Sequence, residues 1–110
     1  MSFRISCVTY DNSSVSIYFE QFGHWDNFDW IVGLLEDENE CEVLSNDQSQ
    51  YFRLAKLMYK DIEFDVWHDE TLGNFLFSMN EQDTDVLKQL AGNVIMSVTQ
   101  RLAEKGVVLD

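Results

Sequence analysis

Residues 61–79 read DIEFDVWHDETLGNFLFSM, and this stretch decides the fold class. Ile62, Phe64 and Val66 alternate with polar residues, a period of two that is typical of a strand with one buried face. Residues 71–73 have the composition of a turn, in which Gly73 is free to adopt a positive φ. Alternation then resumes at Phe75, Phe77 and Met79. The pattern predicts a β-hairpin whose strands cover about residues 61–69 and 74–79.

A second hairpin is predicted at the start of the chain, over about residues 3–10 and 14–20. Phe3, Ile5 and Cys7 alternate with Arg4, Ser6 and Val8, and residues 11–13 between the strands are turn formers. The second strand alternates at Val15, Ile17 and Phe19. Because Cys7 shares a face with Phe3 and Ile5, we expect a buried thiol.

Two shorter helices are predicted from apolar residues at helical spacing. The first begins at Asp26, whose carboxylate we expect to cap it, and its apolar face holds Phe28, Ile31, Val32 and Leu35. The second follows Asp47 and Gln50, a pair that resembles a capping box. Its apolar face would hold Tyr51, Leu54, Ala55 and Met58, with Arg53, Lys56 and Lys60 on the wetter side.

The longest predicted helix covers residues 84–105. Its apolar stripe has helical spacing throughout, and Gly106 fits the position just past a helix end. The stripe consists of Val86, Leu87, Leu90, Ala91, Val94, Ile95, Val98 and Leu102. With a short strand at Cys41 and Val43, the predicted order is ββαβαββα. We therefore expect one α+β domain over residues 1–110, a single mostly antiparallel sheet packed by helices, with a long C-terminal helix.

The charge of the chain is strongly negative and unevenly placed. Twenty acidic residues against seven basic ones give a formal net charge of −13. Eighteen of the acids lie in two stretches without any base, one between Arg4 and Arg53 and one between Lys60 and Lys88. Such a charge argues against nucleic acid or an anionic membrane as a partner, because both would be repelled.

Two acidic patches are the candidate binding sites, and both point to a basic protein partner. The first follows the predicted strand of the second hairpin, and Trp67 lies among its acids. It consists of Asp61, Glu63, Asp65, Trp67, Asp69 and Glu70. The second follows the end of the first helix and consists of Glu36, Asp37, Glu38, Glu40 and Glu42. Acids that steer a partner around an aromatic anchor are typical of a protein-binding surface. The alternative is a solvated acidic face with Trp67 covered by a helix.

No catalytic or cofactor-binding motif is present. The chain has no HExxH sequence, calcium loop, glycine-rich phosphate loop or GxSxG sequence, so we expect no metal, no cofactor and no enzymatic activity. His24 and His68 lie near acids, and the alternative hypothesis is a small acidic enzyme that uses one of them as a general base.

Residues 64–77, FDVWHDETLGNFLF, followed by a capped amphipathic helix, resemble the C-terminal half of small acidic immunity proteins. These belong to bacterial toxin systems, including contact-dependent growth inhibition. The resemblance implies a cognate toxin domain, often a nuclease, that is blocked by direct binding. A nuclease suits an acidic inhibitor, because a cleft that binds phosphates is basic.

Two further functions remain open at this point, an acidic secretion chaperone and a nucleic-acid mimic. The chaperones share the size, acidity and α+β content, although they usually begin with a helix. We expect a cytoplasmic protein, since no segment has the composition of a signal peptide or a membrane span. We also expect a monomer or a weak dimer.

Overall fold

The computed structural model describes residues 3–106, and within them six strands form one antiparallel sheet with two α-helices. A short 3-10 turn, Glu81–Asp83, precedes the last helix. The sheet order is β1-β2-β6-β5-β4-β3. The elements are β1 (Arg4–Thr9), β2 (Val15–Glu20), α1 (Asn27–Glu38), β3 (Glu42–Gln48), β4 (Phe52–Tyr59), β5 (Ile62–Asp69), β6 (Gly73–Ser78) and α2 (Thr84–Glu104).

The α+β class, the antiparallel sheet, both hairpins and the long C-terminal helix are confirmed, but the predicted order ββαβαββα is wrong. The observed order is ββαββββα, because the predicted second helix is strand β4. Residues 52–59 pair with β3 on one side and β5 on the other, so a strand satisfies their backbone groups along both edges. This tertiary context overrides the helical propensity of Leu54, Ala55, Lys56 and Met58. Asp47, predicted to cap that helix, lies on β3.

Both helices pack against the same face of the sheet, which we call the covered face. Its central row runs through paired residues of four adjacent strands, Ile17, Leu76, Val66 and Ala55, all 0% exposed. Phe28, Ile31 and Leu35 of α1, with Leu87, Ala91, Val94 and Val98 of α2, close the core above them. These are the residues that the helical spacing places on one stripe.

The alternate residues of each strand point away from the helices and form what we call the open face. The open face consists of Arg4, Ser6, Val8, Ser16, Tyr18, Glu20, Phe75, Phe77, Glu63, Asp65, Trp67, Asp69, Phe52, Leu54, Lys56, Met58, Glu42, Ser45 and Asp47. Among these residues, none belongs to the buried core cluster beneath the helices. Since cross-strand partners share a face, the register fixes this set.

The loop before α1 is fixed against the start of β6. Gly73 has a φ of +80°, and a Cβ built on Gly23 would lie 3.0 Å from the Cα of Gly73, so both positions favour glycine. The buried Asn74 amide donates hydrogen bonds to the carbonyl oxygens of Phe22 and His24, at 2.9 and 3.1 Å. These contacts hold the turn between β5 and β6 in place.

Three local predictions differ from the structure. Cys7 is exposed, because β1 is an edge strand with a neighbour on one side only. Asp26 precedes α1 but its side chain makes no capping hydrogen bond. Arg53 is buried rather than on a wet helix face, because in a strand it points to the covered side. By contrast, Gly106 has the predicted positive φ, +81°, just past α2.

Among the residues that the structure describes, no helix is long and apolar enough to cross a membrane.

Candidate functional site

The central row of the open face is a line of apolar side chains that crosses the sheet. The register pairs Tyr18 with Phe75, Phe75 with Trp67, and Trp67 with Leu54. The Tyr18 and Phe75 ring centroids are 5.1 Å apart, and those of Phe75 and Trp67 are 6.4 Å apart with nearly parallel planes. Phe52 extends the row, with its centroid 5.9 Å from that of Trp67. The row is therefore a continuous aromatic surface.

A shallow depression of about 330 Å³ lies over this row. It is lined by the rings of Tyr18, Trp67, Phe75 and Phe77 and by Asp69. Tyr10 also lines it, and the hydroxyl groups of Tyr10 and Tyr18 are joined by a hydrogen bond of 2.7 Å. The depression thus combines ring surfaces with a few polar groups, which is the usual make-up of a binding site on a protein.

Acidic residues surround the aromatic row on the open face. Six acids and two bases, Arg4 and Lys56, give this face a formal charge of −4. The acids are Glu20, Glu42, Asp47, Glu63, Asp65 and Asp69. An apolar row inside an acidic surround favours a ligand that has apolar and cationic groups together.

Asp65 is the acid whose environment is most perturbed on this face. Burial of the carboxyl group, the largest effect, raises the pKa of Asp65 above its ordinary value. The Lys56 ammonium and the Trp67 indole act in the opposite direction, and the nearby Glu63 carboxylate adds to the rise. The fold therefore holds a partly desolvated carboxylate beside Trp67, and its charged form is disfavoured there.

The structure brings together one part of the first predicted patch. Glu63, Asp65, Trp67 and Asp69 lie along β5 on the open face. Asp61 and Glu70 lie in the turns that precede and follow β5, outside the strand. The prediction that Asp61 continues the strand face is therefore wrong, because Tyr59 pairs with Ile62 and the turn between them consists of Asp61 and Lys60, which has a φ of 54°.

The second predicted patch lies mostly on the helix side of the sheet. Glu36 and Asp37 are exposed at the C-terminal end of α1, and Glu40 follows that helix. Glu38 is bound to α2: the Ser97 hydroxyl donates to it at 2.8 Å and the Arg101 guanidinium forms an ion pair with it. The Ser97 hydrogen bond, then Arg101, lowers the pKa of Glu38. Only Glu42 of this patch belongs to the open face, where it pairs with Met58.

The alternative in which a helix covers Trp67 does not hold, because α1 and α2 both pack on the other face. Sequence reasoning missed Tyr18, Phe75, Phe52 and Leu54 as members of the same surface. Their alternation was visible in the sequence, but which strands are neighbours was not. The register that places Phe75 between Tyr18 and Trp67 depends on β2 pairing with β6, a contact between distant parts of the chain.

The two histidines occupy different environments. His68 is buried on the covered face, where its Nδ1 lies 2.8 Å from the Asn74 amide oxygen, and its neighbours across the strands are Arg53 and Asn74. His24 is exposed, and its Nδ1 accepts a hydrogen bond of 3.1 Å from the backbone N–H of Asp26. Within residues 3–106, no group of three or more His, Cys, Asp or Glu side chains is arranged to hold a metal ion.

Arg53 is the buried charge of the covered face. Its guanidinium forms an ion pair of 2.6 Å with Asp29 and lies over the Phe28 ring at 4.4 Å and the Trp25 ring at 5.5 Å. Arg53 thus ties β4 to α1, and its contacts are those of a structural residue rather than of a binding group.

Comparison of this chain with protein-family models, with curated proteins and with solved structures found no match.

Proposed function

We propose that this protein is an immunity-type inhibitor, which binds a basic toxin domain through its open face and occludes the active cleft of that domain. The observation that carries the proposal is the aromatic row of Tyr18, Phe75 and Trp67, which the helices leave uncovered amid acids. The resemblance of residues 64–77 to immunity proteins agrees with it. We infer a nuclease as the most suitable target, because a cleft built for phosphates is cationic.

The apolar part of the surface supplies the anchors. Trp and Tyr are the residues that most often dominate the binding energy of an interface, especially at its centre. Trp67 and Tyr18 lie at the centre of the open face, in the row that crosses β2, β6 and β5. Their burial by a partner would remove apolar surface that this chain does not cover itself.

The charged part of the surface attracts a basic partner and discriminates against acidic proteins. A net charge of −13 on the whole chain attracts a basic protein over a distance of about a Debye length, roughly 8–10 Å at moderate salt. The six acids of the open face then direct its orientation. The same charge disfavours acidic proteins, so the surface discriminates as well as attracts.

Asp65 supports a functional rather than a purely solubilising role for these acids. A carboxylate that serves solubility is best left fully hydrated, whereas burial raises the pKa of Asp65. A partner cation placed against Asp65 would offset this desolvation. Local features that oppose stability are expected at functional sites, because binding compensates them.

The experiment measures binding and inhibition of the domain encoded directly upstream of this chain, where the proposal places the cognate toxin, since immunity genes follow their toxins. The wild-type chain should bind that domain and inhibit its nuclease activity, with affinity that falls at high salt. The double variant Glu63→Lys/Asp65→Lys should weaken binding by about 100-fold or more, because it places cations opposite a cationic cleft.

The matched control is Glu36→Lys/Asp37→Lys, which changes the formal charge equally but on the helix side of the sheet. It should retain affinity within about tenfold, the loss expected from weaker long-range attraction alone. Equal losses in the two double variants would contradict the open face as the binding site. Absence of binding by the wild-type chain would contradict the immunity function itself.

A further inference from the structure

The depression at the centre of the open face has the chemistry of a receptor for one cationic side chain. The rings of Tyr18, Trp67, Phe75 and Phe77 line it, and Asp69 is a further lining residue. Aromatic ring faces attract cations through their quadrupole, most strongly when the cation is withdrawn from water. A volume of about 330 Å³ gives room for a long side chain to lie along the rings.

The Asp69 carboxylate is held in a fixed orientation. Its Oδ1 accepts hydrogen bonds from the backbone N–H groups of Thr71 and Leu72, at 2.8 and 2.9 Å. Both bonds end on Oδ1, so Oδ2 is the oxygen offered to a ligand. Because the turn fixes the carboxylate before binding, little conformational entropy is lost when a cation docks.

The field of Asp69 extends over the rings as well. Burial, followed by the hydrogen bond with Tyr10, raises the pKa of Tyr18, and the Asp69 carboxylate contributes to this rise. Asp69 and Tyr18 both line the depression, so both can contact a ligand bound in it. A cation in the depression would meet ring faces on its flanks and a negative charge at its end.

We propose that this depression binds an arginine side chain of the basic partner, stacked on the ring of Trp67 or Tyr18 and hydrogen-bonded to Asp69. Arginine fits better than lysine, since its planar guanidinium stacks on aromatic rings and donates several hydrogen bonds in fixed directions. The depression, whose lining residue Trp67 lies two residues from Asp65 on β5, thus supplies the central anchor of the open face. This inference rests on the proposed function, because it names the group that the partner inserts.

The test compares two peptides of equal charge, hexa-arginine and hexa-lysine, by calorimetry at low salt, with NMR of the Trp67 indole N–H. The arginine peptide should bind about tenfold more tightly, the factor that a stacked and hydrogen-bonded cation contributes. It should also shift the Trp67 signal. In Asp69→Asn, whose amide oxygen can still accept the Thr71 and Leu72 hydrogen bonds, this preference should fall to about twofold or less.

The matched control is Asp47→Asn, which removes one charge from the open face at strand β3, beyond Leu54 and away from the depression. This variant should weaken the binding of both peptides equally and leave the preference for arginine unchanged. Equal binding of the two peptides, or a preference unaffected by Asp69→Asn, would overturn the arginine site while leaving a basic partner for the open face. Failure of both peptides to bind at low salt would overturn the site and the cationic partner together.

Discussion

The two faces of the sheet are built from alternate residues of the same strands, but helices cover the side chains of only one of them. On the covered face the central row, Ile17, Leu76, Val66 and Ala55, is 0% exposed beneath α1 and α2. One residue along each strand, the central row of the open face is Tyr18, Phe75, Trp67 and Leu54. The open row has the larger side chains and no helix over it: Tyr18, Trp67 and Leu54 are partly exposed, and only Phe75, between its ring neighbours, is buried. The covered face therefore holds the buried core, and the open face is the surface on which we propose that a partner binds.

The largest expected effect is on the free energy of unfolding when one aromatic residue is removed from each face in turn. Phe64→Ala, on the covered face, should lower the free energy of unfolding by about 3–5 kcal/mol, because Phe64 is 2% exposed and leaves a cavity. Trp67→Ala, on the open face, should lower it by about 1–3 kcal/mol through the loss of its ring pairs with Phe52 and Phe75. Urea unfolding monitored by circular dichroism measures both. Equal losses would mean that Trp67 is part of the core.

A smaller effect on the free energy of unfolding is expected from substitutions of two basic residues of β4, one on each face. Arg53→Lys should destabilise by about 1–2 kcal/mol, because the ammonium group cannot stack on Phe28 and Trp25 as the guanidinium does. Lys56→Arg, on the open face, should change the free energy of unfolding by about 0.5 kcal/mol or less. The same unfolding assay checks the pair, and a neutral Arg53→Lys would show that the stacked contacts contribute nothing.

The smallest effect compares two aspartates whose pKa values are displaced in opposite directions. The Arg53 hydrogen bond lowers the pKa of Asp29, whereas burial raises the pKa of Asp65. The Asp29 carboxylate therefore stabilises the fold above its unfolded pKa near 3.8, and this stabilisation is lost as pH falls through the lower folded pKa. The Asp65 carboxyl opposes folding once the pH rises from about 3.8 through its raised folded pKa.

At pH 7, Asp29→Asn should therefore lower the Tm and Asp65→Asn should raise it. Both differences should shrink as the pH is brought below about 3.8, where the carboxyl groups become protonated. Thermal unfolding across a pH series checks the signs. A lower Tm for Asp65→Asn at pH 7 would remove the argument that Asp65 opposes stability on the open face.

Elements with a strong local period could be predicted from the sequence. Elements whose conformation or burial depends on their position in the sheet could not. Strand β5 and helix α2 have long unbroken patterns, and both lie where the patterns predict. Strand β4 lacks β-branched residues, and Tyr51, Leu54, Ala55 and Met58 also fit one helical face, so only the pairing with β3 and β5 reveals a strand. The exposure of Cys7 was unpredictable for the same reason, since an edge strand and an inner strand have the same alternation in sequence.

The candidate site was predictable to the extent that it lies on a single strand. Alternation along β5 placed Trp67 with Glu63, Asp65 and Asp69, and the structure places these four on one face. Tyr18 and Phe75 join them only through the long-range pairing of β2 with β6. Likewise, nothing in the sequence shows that Glu38 contacts Ser97 and Arg101.

The most direct measurement uses two methionines that are equally exposed on opposite sides of the sheet. Met79, 69% exposed, borders the open face beside Lys56 and Glu63, and Met96, 68% exposed, lies on α2. Oxidation by hydrogen peroxide, read by mass spectrometry with and without the proposed partner encoded upstream, compares their access to solvent in one sample. Binding through the open face should slow the oxidation of Met79 several-fold and leave Met96 unchanged. Protection of Met96 with Met79 unaffected would contradict the account.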